Sequence, residues 1–118
     1  MQKKKVEVWC TLQLEATHNW PECPFEEVDY LRSPHRHVFF IKAYADVNHN
    51  DRDIEFIKLK HSITDYLREH YWNEKKKLHV LGHTSCEMLA GELCTVFNLS
   101  RCEVNEDNEN GAIVTIGE

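Results

Sequence analysis

The stretch that decides the fold reads VEVWCTLQLEATH at residues 6–18. Its even-numbered side chains from Val6 to Leu14 are apolar, whereas most of the odd-numbered ones are polar. Because successive side chains of a strand point to opposite faces, this alternation predicts a strand with one buried face that ends at His18. A second strand, rich in β-branched and aromatic residues, is predicted at residues 35–47.

Two helices are predicted downstream of these strands. Residues 56–71 carry apolar side chains three and four positions apart, which is the spacing of one helix face. Thr84 and Glu87 have the spacing of a capping box, so a second helix is expected to begin at Thr84 and to stop at Asn98. Between the helices, residues 73–77 are predicted to form a polar link.

The last part of the chain is predicted to form two more strands, at residues 101–105 and 112–116. The loop between them, residues 106–111, ends in Asn-Gly, a pair that suits positive φ. The resulting order of elements is ββααββ. It predicts an α+β fold in which two helices cover one face of a four-stranded antiparallel sheet, in a single domain over residues 1–118.

Composition and charge argue against several classes of protein. The 118 residues carry a formal net charge of −6, which argues against a nucleic-acid surface because such surfaces are basic. The run Lys3-Lys4-Lys5 is interpreted as a solvated entry to the first strand. No apolar stretch approaches the roughly 20 residues that span a bilayer, and the first residues lack the apolar middle of a signal peptide. We therefore expect a cytoplasmic protein without membrane or nucleic-acid partners.

The five cysteines do not suggest a disulfide framework, because their number is odd and none of them forms a C-x-x-C pair. Buried thiols are expected in the stretches with an apolar pattern, at Cys10, Cys86, Cys94 and Cys102. Cys23 lies apart from these, in the proline-rich segment of residues 19–34. This segment is predicted to be a loop, and loops of this length are often functional.

Histidine is the most informative residue type, with eight in the chain. His35 and His37 lie two apart on a predicted strand, so their side chains share a face. A hairpin pairing would bring His18, at the end of the first strand, beside them. Three imidazoles can supply three of the four positions around Zn²⁺ and leave one open for water or substrate. The alternative is that these are ordinary surface or core histidines, since an H-x-H pair alone is a weak motif.

The histidines and several later motifs resemble those of a known family, the 6-pyruvoyl-tetrahydropterin synthases and 6-carboxytetrahydropterin synthases. This family has the T-fold. The first strand ends in Ala16-Thr17-His18, similar to the A-x-H motif of the family, and His35-Arg36-His37 is similar to its H-G-H motif. The later matches follow in chain order and are Glu69-His70 for a D-H pair, Thr84-Ser85-Cys86-Glu87 for a P-T-x-E motif, and Val104-Asn105-Glu106-Asp107 for a V-x-E-T element. They cover nearly the whole chain.

The resemblance implies a Zn²⁺ site at the three histidines and a pterin or purine-type ligand anchored by Glu106. The chemistry is reasonable, because a pterin or guanine edge presents adjacent N–H and NH₂ donors that one carboxylate can accept together. The matched motif also places Ser85 and Glu87 beside the ligand, although a capping box would equally explain Glu87. Family members assemble into rings with the site between subunits, so the resemblance implies a homo-oligomer.

The residues that would carry the family's proton transfers depart from its pattern. The family has a cysteine as base just upstream of H-G-H, and here Leu31 and Asp29 occupy those spacings. Asp29, Glu26 or Glu27 is therefore a candidate replacement base, and Cys23 is another candidate if the long loop folds back. Glu69 and His70 stand for the D-H pair, and His70 can act as acid or base near neutral pH. The alternative for His70 is a place on the buried stripe of its helix.

Three functions remain open from the sequence. The first is a zinc-dependent lyase that acts on dihydroneopterin triphosphate or a close relative. The second is a catalytically inactive protein that sequesters a pterin or a guanine-type nucleotide, and the missing cysteine favours it. The third is a zinc hydrolase that uses the same three histidines.

Overall fold

Two long strands form the centre of the fold. The computed structural model describes residues 4–117, so Lys3 of the basic run lies outside the described residues. Strands β1 (Val6–His18) and β2 (His35–Val47) pair antiparallel along their whole length. Their alternating patterns explain this register, which keeps the apolar side chains of both strands on the same face. The segment between them contains a 3-10 helix, Glu26–Arg32, where a plain loop is predicted.

The two predicted α-helices are present. Helix α1 (Phe56–Tyr71) has the predicted bounds, and the side chain of Glu55 caps it by accepting hydrogen bonds from N–H groups of the first turn. Helix α2 (Cys86–Phe97) ends at Asn98, which has the left-handed conformation (φ 52°) that commonly ends a helix. Within residues 4–117, no helix is long and apolar enough to cross a membrane.

The start of α2 differs from the predicted capping box by one residue. Its N-cap is Ser85, whose side chain accepts a hydrogen bond from Met88 N at 3.1 Å. Thr84 lies just before the helix, and its backbone N–H donates to Leu81 O at 3.2 Å. Thr84 and Ser85 both carry a hydroxyl that can cap a helix. The path of the preceding chain therefore decides which of the two caps α2.

The sheet corrects the predicted topology. Its strand order within the described residues is β3-β4-β1-β2-β5-β6, where β3 is Trp72–Asn73, β4 is Leu78–Gly82, β5 is Arg101–Glu106 and β6 is Asn110–Thr115. Strand β4 runs parallel to β1, whereas the other neighbouring strands are antiparallel. The prediction of a T-fold with a four-stranded antiparallel sheet and two helices is wrong, because residues 4–117 form a mixed six-stranded sheet with three helices. The broader α+β class is confirmed.

The two unpredicted strands are too short to show a period in the sequence. Strand β3 has two residues and β4 has five, and a short apolar run cannot be assigned from periodicity alone. Strand β4 pairs with only the end of β1, where Ala16 lies opposite His79 and His18 lies opposite Gly82. This pairing depends on the path of the chain after α1, and that path cannot be predicted from local sequence patterns.

The final hairpin is tighter than predicted. Strand β5 extends to Glu106 and β6 begins at Asn110, so only three residues form the turn. Positive φ values occur at Asp107 (58°) and Asn108 (60°) rather than at the predicted Asn-Gly pair. Two consecutive residues with positive φ are typical of a type I′ turn, whose twist suits a hairpin, and Asp and Asn tolerate this conformation.

The hydrophobic core lies between the helices and one face of the sheet. That face is formed by alternating buried residues, namely Cys10, Leu12, Leu14 and Ala16 in β1, Phe39, Ile41, Ala43 and Ala45 in β2, and Cys102 and Val104 in β5. Helix α1 packs on β1 and β4, and α2 packs on β5 and β6. The four thiols predicted to be buried are buried, Cys23 is buried as well, and all five are free.

Candidate functional site

The site begins where the helix-covered face of the sheet changes from apolar to polar. In β1 and β2 the alternation of buried side chains continues to His18, His37 and His35. In β5 the same alternation continues from the core to Glu106, which is a strand residue and not the loop residue that was predicted. Because β1, β2 and β5 are neighbours and His18 pairs directly with His35, these four side chains meet at one end of the sheet.

The three imidazoles lie close together. The ring centroids of His18 and His35 are 4.6 Å apart, those of His35 and His37 are 5.1 Å apart, and those of His18 and His37 are 5.5 Å apart. One nitrogen from each ring can be chosen so that all three lie within 4.8 Å of one another. The buried ring of Phe39 packs edge-on against His18 at 5.0 Å and against His37 at 5.8 Å, which gives the cluster an apolar floor.

Each histidine uses its Nδ1 atom to contact the protein. These contacts are His18 Nδ1 to Thr84 O at 3.0 Å, His35 Nδ1 to Ser33 O at 2.9 Å, and His37 Nδ1 to Asp107 Oδ2 at 2.7 Å. All three partners are oxygens that can only accept here, so Nδ1 must carry the proton and donate it. In a neutral ring the lone pair is then on Nε2, which is how metal-binding histidines are oriented in proteins.

Strand β4, which the sequence did not predict, helps to position His18. It pairs with the end of β1, and the backbone N–H of Asn19 donates to Gly82 O at 2.8 Å. Gly82 has φ +61°, a conformation that glycine adopts without steric cost. The turn that follows carries the chain to Thr84, whose carbonyl accepts the His18 Nδ1 proton.

Glu106 is the charged group that lies close to both His18 and His37. Its Oε2 atom is 2.9 Å from His18 Nε2, and its Oε1 atom is 3.6 Å from His37 Nε2. The contact with His18 holds the pKa of the Glu106 carboxyl below its usual range, against the opposing effect of burial. Burial by itself lowers the pKa of His18, but the contacts with Glu106 and with Thr84 O outweigh it and raise that pKa.

The donor atoms fit a divalent metal ion. Among the residues that the structure describes, His18 Nε2 is a buried atom whose only close polar neighbour outside the histidine cluster is Glu106 Oε2, at 2.9 Å. Buried polar atoms are normally paired, so in the neutral ring this nitrogen, beside two further imidazoles, calls for a positive partner that Glu106 cannot supply. A cation bound by the three histidines would supply one, and imidazole suits zinc, copper, iron and nickel.

A cavity of about 450 Å³ opens beside the histidines, within the range of sites that hold small molecules. The predicted ligand residues Ser85, Glu87 and Glu106 all line it. Glu87 is exposed in the first turn of α2, where Ser85 already provides the cap, so its carboxylate can face the cavity. The indole of Trp20, 44% exposed, forms part of the apolar lining.

Two of the predicted catalytic residues, Cys23 and Asp29, are not brought to the histidines. Cys23 is 2% exposed, and its Sγ atom lies 3.8 Å from each of the carbonyl oxygens of Phe25 and Val28. It therefore packs inside its own loop. Asp29 is exposed on the 3-10 helix, and neither residue belongs to the cavity lining found within residues 4–117.

The other predicted catalytic pair, Glu69 and His70, lies at the end of α1 and also does not line the cavity formed by the described residues. Both side chains are exposed. The His70 ring stacks on Tyr66 with centroids 4.0 Å apart, and its Nδ1 atom contacts Tyr66 O at 2.9 Å. Within one chain, this pair is therefore separate from the histidine cluster.

Sequence reasoning missed two residues that touch the site. Asp107 contacts His37, but its position in the turn becomes clear only once the hairpin register is known. Cys86 was expected only as a buried thiol, yet its Sγ atom lies 3.9 Å from Glu106 Oε2. Burial, followed by the nearby carboxylates of Glu106 and Glu87, raises the pKa of the Cys86 thiol to about 12, so it is neutral at ordinary pH.

Comparisons with known proteins leave the resemblance to pterin synthases as a prediction. No model of a protein family matches this sequence, and no curated protein matches it. The geometry of the histidine cluster and its cavity is therefore what points to a function.

Proposed function

We propose that this protein binds a divalent metal ion, zinc by preference, at His18, His35 and His37, and captures a flat pterin or purine-type ligand in the adjoining cavity. The observation that carries the proposal is the convergence of three imidazoles whose Nδ1 atoms are already engaged. Ordinary surface histidines do not need three separate acceptors that each hold the Nδ1 atom of a ring in one small cluster. Three protein ligands leave a further position of a tetrahedral ion open, which is the arrangement of a site that binds another molecule.

Glu106 supports the second half of the proposal. It lines the cavity, and the lowered pKa of its carboxyl keeps it ionised at neutral pH. An ionised carboxylate can accept two parallel hydrogen bonds from the adjacent N–H and NH₂ groups of a pterin or guanine edge. Trp20 supplies an apolar surface in the same cavity, which suits the face of a flat ring system.

A bound divalent ion would polarise an oxygen of the ligand and make its proton easier to remove. The catalytic residues predicted from the sequence do not supply a base for that proton within residues 4–117 of one chain. Cys86 is a neutral thiol, and Cys23, Asp29, Glu69 and His70 do not line the cavity of the described chain. We therefore place the binding protein that sequesters its ligand first, and the lyase second.

The lyase remains a distinct candidate for one reason. Glu69 and His70 are exposed and adjacent on α1, so a neighbouring copy in a homo-oligomer is free to present them to the cavity. This arrangement corresponds to a site between subunits. A cytoplasmic location agrees with the five free thiols, because a reducing compartment keeps cysteines in that form.

The function is tested by three measurements on the purified full-length chain. Metal content is measured by elemental analysis, binding of pterins and guanine nucleotides by calorimetry, and turnover with dihydroneopterin triphosphate and added zinc. Metal and ligand binding without turnover supports the sequestering protein, whereas turnover supports the lyase. A protein that takes up no divalent ion and binds none of these ligands contradicts the whole proposal.

A further inference from the structure

We infer that Asp107 is a positioning residue for the metal site, which it serves by holding the His37 ring with its Nε2 lone pair toward the ion. The inference rests on the proposed function and adds a residue that the sequence motifs do not assign. Asp107 Oδ2 lies 2.7 Å from His37 Nδ1, the shortest of the three contacts that hold the histidine rings. The other two acceptors are backbone carbonyls, so Asp107 is the only charged one among them.

Asp107 is itself held to Val38 by two hydrogen bonds, one through its side chain and one through its backbone. Its Oδ1 atom accepts a hydrogen bond from Val38 N at 2.9 Å, and its backbone N–H donates to Val38 O at 2.8 Å. These two bonds join the turn of the final hairpin to β2 next to His37. A carboxylate fixed in this way orients the ring and makes Nε2 a better electron donor, as carboxylate–histidine–metal arrangements do in known metal sites.

The backbone conformation of Asp107 does not by itself require an acidic side chain. Its φ of 58° lies in the left-handed region, where residues other than glycine are uncommon. Asparagine tolerates this conformation as well as aspartate does, so the turn alone does not require a charged side chain. The acidic group is explained by its contact with His37.

The isosteric variant Asp107→Asn separates positioning from folding. Val38 N–H still needs an acceptor, so the amide oxygen takes that place and the NH₂ group faces His37 Nδ1. An NH₂ group can only donate, and it therefore favours the ring form with the proton on Nε2, which has no lone pair for a metal. The matched control is Glu109→Gln, which removes the same charge from an exposed residue of the same turn.

The experiment compares the wild-type chain with both variants. A zinc titration against a chromophoric chelator measures the affinity. Thermal unfolding of the metal-free proteins measures the stability, and ¹H–¹⁵N spectra of the imidazoles show which ring nitrogen carries the proton. We expect Asp107→Asn to weaken zinc binding by about 10- to 100-fold, to leave the melting temperature unchanged and to move the His37 proton to Nε2. The zinc affinity of Glu109→Gln should stay within about twofold of the wild-type value. Equal losses in both variants, an unchanged affinity in Asp107→Asn, or a lowered melting temperature would overturn the positioning role alone. A wild-type chain that binds no zinc would overturn the proposed function together with this inference.

Discussion

At the residue scale, the histidine cluster is defined by which nitrogen of each ring is already engaged. The Nδ1 atoms of His18, His35 and His37 all face oxygen acceptors, and one nitrogen of each ring lies within 4.8 Å of the other two. The His18 ring is nearly buried, with 11% of its side chain exposed, which restricts its motion. Rings that are held in place before the ion arrives bind it with less loss of conformational entropy.

Removal of one ring tests this cluster most directly. We expect His35→Ala to lower the zinc affinity by at least about 10-fold. The loss of a direct ligand should weaken zinc binding at least as much as the loss of a residue that only orients a ligand. Elemental analysis of the purified variant measures its zinc content per chain, which falls when the affinity falls. His61→Ala is the control, because His61 is exposed on α1 and outside the cluster. Wild-type zinc content in His35→Ala would show that His35 is not a ligand.

Glu106 has a different expected role from the histidines. We predict that Glu106→Ala weakens capture of a pterin or guanine ligand by about 10- to 100-fold, since hydrogen bonds to a charged group contribute about 1.5–3 kcal/mol. Zinc content should stay near the wild-type value, because the three histidines remain. Calorimetry and elemental analysis measure the two quantities. Glu103→Ala, on the opposite face of the same strand, should change neither, and unaltered ligand affinity in Glu106→Ala would refute the anchor role.

At the scale of elements, the β5–β6 hairpin carries more of the site than its length suggests. It contributes Glu106 from its first strand and Asp107 from its turn, and hydrogen bonds to β2 hold that turn in place. Gly111 lies directly opposite Asn105 in this hairpin. A Cβ atom at Gly111 would collide with Val104 O and the Cα atom of Asn105, so the close approach of the two strands requires glycine.

This close approach leads to a prediction about stability. We expect Gly111→Ala to lower the free energy of unfolding by about 1–3 kcal/mol, because the obstructing atoms belong to the backbone and cannot move aside cheaply. It should also weaken zinc binding by shifting Asp107. Denaturant titration followed by circular dichroism measures the stability.

A second glycine provides the matched control. Gly91 lies in α2 with open space around its Cα atom. Gly91→Ala is expected to stabilise the protein by up to about 1 kcal/mol, because alanine favours a helix more than glycine does. Equal stability changes in the two variants would show that the hairpin tolerates a side chain at residue 111.

At the scale of the whole molecule, the helices cover only one face of the sheet. On the other face Trp9 is 51% exposed and Ile113 is 57% exposed. The Lys42 ammonium lies 4.1 Å from the centre of the Trp9 ring, and the Arg101 guanidinium lies 3.8 Å from the centre of the Tyr44 ring. A face that combines the exposed Trp9 ring and the half-buried Tyr44 ring with charged groups has the composition of a protein interface.

We predict that this face is buried in a homo-oligomer. Light scattering should then give a mass that is a multiple of 14.0 kDa, the mass of one chain. Trp9→Glu should shift the population toward the single chain, because it places a charge in the apolar part of the face. Ile57→Glu is the control, since Ile57 is exposed on α1 and away from this face. A mass of 14.0 kDa at all concentrations of the wild-type chain would contradict the prediction.

What the sequence by itself determined is what depends on near neighbours in the chain. The alternation in residues 6–18 and 35–47 and the helical period in residues 56–71 were sufficient for the two long strands and for α1. The same alternation put His35 and His37 on one face, and pairing of the two strands brought His18 to them. These features follow from backbone geometry, which repeats every two residues in a strand and every 3.6 in a helix.

Only the tertiary structure decided which distant residues meet. The parallel strand β4, the turn that carries Asp107 and the approach of Cys86 to Glu106 all join parts of the chain that are far apart in sequence. It also left Cys23 in its own loop and His70 packed on Tyr66 at the end of α1, although both had suitable chemistry. A side chain's chemistry can be read from its type, but its partners depend on how whole elements pack.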